Sequence, residues 1–147
     1  MTRPSKFAPT AVSPARRYGA ALVAGLGLGV VVQLLGVVFA TQGRWMTWGE
    51  RLWFALWGLI ALMAALAPWL YRYAPRWAGW LPYAAAAVFL GMTIPGMFSV
   101  GVHMLLAGLL DLAAGVLLAP SWRRVGLTLV AAAALTAGIL GWVLTRW

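Results

Sequence analysis

LPYAAAAVFLGMTIPGMFSVGVHMLLAGLLDLAAGVLL, residues Leu81–Leu118, is the stretch whose reading decides the fold. It is 38 residues long, with His103 and Asp111 as its only ionisable groups apart from Tyr83. As one helix it would measure about 57 Å at 1.5 Å per residue, nearly twice the roughly 30 Å core of a bilayer. It must therefore fold back, and Pro95-Gly96 is the place, because proline cannot continue the hydrogen-bond ladder and glycine turns freely. Two membrane spans are expected there, about 77–94 and 98–118.

Working outward, three more apolar runs of span length are expected at about 18–40, 52–70 and 125–145. The whole chain has the matching composition: 147 residues, 64% hydrophobic, 9% charged, net charge +9 and no cysteine. A soluble domain is nearer 45–50% apolar and about 25% charged. The expected fold class is thus an all-α, polytopic transmembrane bundle, with five spans favoured over four. The missing cysteine excludes a disulfide scaffold, a thiolate metal site and a Cys nucleophile. Glu50 and Asp111 are the only acids, so no carboxylate pair lies on one helix. No metal site is expected.

Charge sets the orientation. With five spans and the N-terminus inside, Arg3, Lys6, Arg16, Arg17, Arg72, Arg76, Arg123 and Arg124 lie inside, against Arg44, Arg51 and Arg146 outside. That is 8 to 3. A single span over 81–118 would give 7 to 4, so the positive-inside rule favours five. The aromatics agree. Tyr18, Tyr71, Tyr73, Tyr83, Trp69, Trp77, Trp80 and Trp122 are expected at the inner interface, Trp45, Trp48, Trp142 and Trp147 at the outer one, where amphipathic rings anchor. Arg16, Arg17, Arg72, Arg76, Arg123 and Arg124 are read as lipid-interface cations, drawn to anionic headgroups. They are not read as a nucleic-acid surface, although the pI is near 11.7. The inner (cytoplasmic) membrane of a bacterium is the expected location.

Residues 1–17, with Pro4, Pro9 and Pro14 at five-residue spacing, read as a non-helical basic arm on the inner side. Val38-Phe39-Ala40 resembles a signal-peptidase site, but the preceding apolar run is too long for a signal peptide, so an uncleaved first span is expected. Glu50 can pair with Arg51 or start the second helix, where a carboxylate suits the N-terminal dipole; the second role is preferred.

Chemistry must come from the polar side chains inside the spans: Gln33, His103 and Asp111. An intramembrane charge costs about 2.5–3.5 kcal/mol on insertion scales, which makes such groups functional candidates. Asp111 shares a 3–4 spaced stripe with Gly101, Met104, Gly108 and Gly115. Glycines admit a close neighbour, so the carboxyl is expected to face protein, as helix-to-helix glue or as a proton, ion or quinone site. His103 is about 12 Å from it along the axis. As the only histidine it cannot give bis-His haem ligation within one chain, and a quinone suits it better than haem. Gly25, Gly29 and Gly36 share a face of the first span with Gln33 at its edge, and Gly25-x-x-x-Gly29 is a small-xxx-small pattern. The two glycine-lined helices are expected to pack on each other, bringing Gln33 towards His103.

The run Gly108-Leu109-Leu110-Asp111-Leu112-Ala113-Ala114-Gly115-Val116-Leu117-Leu118-Ala119-Pro120-Ser121-Trp122-Arg123-Arg124 resembles a segment of the DoxX-like membrane proteins. It shares a Gly, an acid three residues on, a second Gly four later, a Leu pair, then Pro and basic residues. The resemblance covers about 17 of 147 residues. It departs in carrying Asp111 where Glu is usual and in having five spans for four. It implies a link to respiratory or sulfur redox complexes, with Asp111 near a quinone.

With almost no mass outside the spans, there is no room for a soluble catalytic domain, and the chain is not expected to be an enzyme alone. The leading expectation is an accessory or scaffold subunit of a larger inner-membrane complex, partnered by the bilayer and by other membrane subunits or copies of itself. The alternatives are a redox-linked protein with a quinone near Asp111 and His103, and a small homo-oligomeric transporter or channel.

Overall fold

The computed structural model describes residues 12–93 and 100–119, with scattered positions between 126 and 145. These residues are all-helical, without a strand. The elements are α1 (Pro14–Gln42), α2 (Trp48–Leu70), the short α3 (Pro75–Ala78), α4 (Leu81–Thr93) and α5 (Gly101–Leu118). The described positions between 126 and 142 are helical too. Three helices, α1, α2 and α5, are long and apolar enough to cross a membrane.

Helix α1 starts at Pro14, so the last four residues of the expected arm are helical. The proline that was read as a helix breaker sits at the first helical position, where its missing N–H costs nothing and its fixed φ suits the helix. Ser13 caps it, accepting from the Arg16 N–H at 3.4 Å. The second helix opens with a capping box. The Thr47 hydroxyl accepts from the Glu50 N–H, and the Glu50 carboxylate accepts from the Thr47 N–H at 2.7 Å. Arg51 does not pair with Glu50 but donates to the Gly43 carbonyl at 2.9 Å, tying the turn shut.

The expected third span is broken. α3 ends at Ala78 and α4 begins at Leu81. Pro82 explains the break, because in a continuous helix it could not donate to the residue 78 carbonyl and its ring would strike it. The fold-back at Pro95-Gly96 lies outside the described residues, as do Trp122, Arg123, Arg124 and Arg146. The helices flanking the fold-back run antiparallel: Gly108 faces Leu90, and Gly115 faces Tyr83.

The four longer helices form a ring in the order α1, α2, α4, α5, each packed on its two neighbours. The α1–α2 hairpin is zipped by aromatics. Phe39 meets Phe54 edge-on at 6.3 Å, and Phe54 meets Trp57 at 4.8 Å. The core of one half holds Val31, Leu34, Trp57, Ala61, Phe89 and Met104. A smaller cluster, Ala20, Ala67 and Leu118, closes the other end. Ala61 and Ala64 of α2 and Ala85 of α4 are buried in the same core, and such small residues let helices pack closely where lipid offers no hydrophobic drive. Helix α4 buries most of its circumference, and Thr136 donates to its Ala87 carbonyl at 3.4 Å.

Candidate functional site

Asp111 lies between the two apolar clusters, on a face of α5 that buries Gly101, Met104, Gly108, Asp111, Gly115 and Leu118. It is 1% exposed, and neither carboxyl oxygen has a hydrogen-bond partner among the described residues. Its environment is set by Gly27 of α1. A Cβ built on Gly27 would lie 3.1 Å from Asp111 Oδ1 and 3.5 Å from Leu110 Cβ. The carboxyl is therefore pressed against the backbone of α1, in the seam where α1 and α5 cross. The two glycines nearest Asp111 on its own stripe serve α4 instead. A Cβ on Gly108 would come within 2.8 Å of Leu90 Cγ, and one on Gly115 within 2.9 Å of the Tyr83 ring.

No described cation pairs with Asp111. Arg16, on the facing helix, donates from one guanidinium nitrogen to the Val116 and Ala119 carbonyls, at 3.1 Å each. Both carbonyls lie at the end of α5, where a cation suits the helix dipole, and the Val116 carbonyl also accepts from the Ala119 N–H at 3.3 Å. Arg16 is thus a clasp between α1 and α5. His103 is half-buried in the first turn of α5, and its Nδ1 has no partner among the described residues. Two helical turns separate it from Asp111, so the structure does not join them in one site.

The expected packing of the two glycine stripes is corrected. Among the described residues, Gly25, Gly29 and Gly36 have nothing within 4 Å of a built Cβ, whereas Gly27 has Asp111. The reason is angular. The face of α1 turned to the bundle is the 3–4 spaced row Ala20, Ala24, Gly27, Val31, Leu34 and Val38. At 100° per residue Gly25 and Gly29 lie about 160° from Gly27, and Gly36 about 180°. Gln33, about 120° away, is exposed and has no hydrogen bond among the described residues, so it does not meet His103. Around it, Leu22, Leu26, Val32 and Val37 are all more than half exposed.

At the end of the bundle formed by the start of α1 and the end of α2, Arg17 and Arg72 line one open pocket together with Tyr18 and Trp69. Arg76 is exposed on the adjacent α3. Among the described residues this end holds Arg16, Arg17, Arg72 and Arg76, and the opposite end holds Arg44 and Arg51.

Sequence reasoning missed Gly27, the Arg16 clasp and the shared pocket of Arg17 and Arg72. Gly27 had a signal, since Ala20, Ala24 and Gly27 are small residues at 4 and 3 spacing on one face. The other two had none, because each joins residues from separate helices. No protein family, curated protein or solved structure matches this chain.

Proposed function

We propose that the chain is a small multi-pass subunit that joins a larger membrane complex through the outward face of α1. The observation that carries this reading is that face itself. It presents Gly25, Gly29 and Gly36 in a row with Gln33 beside them, and none of these packs on another helix among the described residues. In lipid, a glycine groove lets another helix approach to backbone distance, and an amide without a partner favours a helix that can bond it. The partner is a transmembrane helix of another subunit.

Five spans with the N-terminus inside fit the gathering of four described arginines at one end of the bundle against two at the other. Such a chain belongs in an inner membrane, held by its basic inner surface and its aromatic belts. Cysteines placed at Thr10, Gly96 and Ser121 of this cysteine-free chain should then report inside, outside and inside. Outside labelling at position 121 refutes five spans.

For the partner, a photo-reactive residue at Leu26 or Gly29 should give one discrete protein adduct in native membranes, and the same probe at Leu59, on the exposed face of α2, should give none. Lipid adducts alone at all three positions refute the reading. A second reading, a redox-linked protein that meets a quinone, is favoured by the unpaired carboxyl oxygens of Asp111 and the unpaired Nδ1 of His103. It accords with the DoxX-like stretch of residues 108–124.

A further inference from the structure

The pocket between the start of α1 and the end of α2 holds two arginines and no acid. Arg17 comes from the first turn of α1, Arg72 from just beyond the end of α2, and both line the same opening. The Arg17 Nε is buried and has no hydrogen-bond partner among the described residues. Two guanidinium groups at one opening repel unless an anion lies between them.

The chain cannot supply that anion from an acidic side chain. It has two, and both are committed elsewhere. Glu50 bonds Thr47 at the other end of α2, about 33 Å from Arg72 along the helix. Asp111 is packed on Gly27, about 15 Å along α1 from Arg17. Arg16 contrasts with its neighbour, because its guanidinium already bonds two carbonyls of α5.

The rest of the lining says what kind of anion fits. Trp69 and Tyr18 are exposed amphipathic rings, of the kind that sits at headgroup depth. Ala21 and Pro68 form an apolar wall that leads from the arginines along α1 and α2 towards the bilayer core. A group with a charged head and an apolar tail satisfies both ends, and basic pockets between transmembrane helices on the inner side bind such lipids.

We propose that this pocket is a discrete binding site for the phosphate of one anionic phospholipid, with Arg17 and Arg72 donating to the phosphate oxygens and the acyl chains lying on Ala21 and Pro68. The arginine fork matches phosphate oxygens in pairs, which makes a guanidinium a better holder than a point charge. The site rests on α1 and α2 crossing a bilayer, and it lies at the start of α1, before the row of Gly25, Gly29 and Gly36 proposed to meet a partner.

Native mass spectrometry of the full chain in mild detergent tests it, with phosphatidylglycerol as the probe and phosphatidylcholine and inorganic phosphate as comparisons. One phosphatidylglycerol should bind ahead of all others, and phosphatidylcholine should bind more weakly. Arg72→Gln should weaken the first binding step about fivefold, and the Arg17→Gln/Arg72→Gln pair about 25-fold. The Arg72 side chain is exposed and makes no hydrogen bond among the described residues, so that variant keeps the fold even if the double one does not. Arg44→Gln, at the opposite end, should change nothing. Failure of inorganic phosphate to displace the lipid identifies lipid as the source of the phosphate; displacement at equal concentration overturns the lipid and leaves a free-phosphate site. No preferred first lipid, or equal losses in Arg44→Gln and Arg72→Gln, overturns the proposal.

Discussion

Replacing Gly108 and Gly29 by alanine in parallel separates inward from outward glycines. Both sit inside helices, so each substitution gains about 0.8–1 kcal/mol of helix propensity. At Gly29 nothing lies within 4 Å of the new Cβ, and that gain is all that remains in the isolated chain. At Gly108 the methyl would stand 2.8 Å from Leu90 Cγ and 3.2 Å from Leu90 N. Carbon contacts relax at about 3.5–4.0 Å, so Leu90 must retreat by roughly 1 Å. The Leu90 Cδ2 end, at 2.9 Å, can rotate away, but Cγ and the backbone N move only with the helix, so α4 itself must shift. Overpacking of this kind costs about 1–3 kcal/mol. The two variants should therefore differ by about 1–3 kcal/mol, a gap of roughly 5- to 150-fold in the folded-to-unfolded ratio. Unfolding in mixed micelles of rising SDS content, followed by circular dichroism, reads the gap directly. A difference below about 0.5 kcal/mol, the scatter of ordinary surface changes, refutes the α4–α5 packing.

Further tests address the site and the helix ends. Asp111→Asn keeps the shape of a carboxyl that has no partner to lose, so purification yield and assembly should equal wild type; full assembly with loss of the complex's turnover would instead favour the quinone reading. Arg16→Gln removes the clasp on the end of α5 and should cost about 1.5–3 kcal/mol in the same SDS titration, the range for hydrogen bonds to charged groups, and no change would show that Arg16 merely faces solvent. Thr47→Ala removes half of the capping box and should cost about 1 kcal/mol, with faster amide exchange confined to the first turn of α2; exchange unchanged there would show that the cap does not hold the helix.

Much of the fold can be read from periodicity. The 3–4 spacing of Gly101, Met104, Gly108, Asp111 and Gly115 marks one face of α5, and that face is the buried one. What periodicity cannot say is which of two faces a helix turns inward when both carry small residues. Helix α1 has such a choice: Ala20, Ala24 and Gly27 on one side, Gly25, Gly29 and Gly36 on the other. The glycine row looks the more specific, yet the alanine row faces the bundle, where its methyls fill space and Gly27 alone makes room for Asp111. The helix boundaries shifted for local reasons. Pro14 opens a helix where proline spacing reads as an arm, and Pro82 splits a run that hydropathy reads as continuous. Contacts between helices far apart in sequence, such as Arg16 with Val116 and Ala119, leave no pattern in one chain.

The most direct test of a partner on the outward face of α1 is the mass of the particle that leaves the membrane. Wild type and Gly29→Leu are extracted in the same mild detergent and their particle masses compared. The glycine groove predicts that wild type carries a second, different membrane subunit in fixed ratio, and that Gly29→Leu, still folded by circular dichroism, has lost it. Identical particles from both proteins, or a wild-type chain that emerges alone, would contradict it.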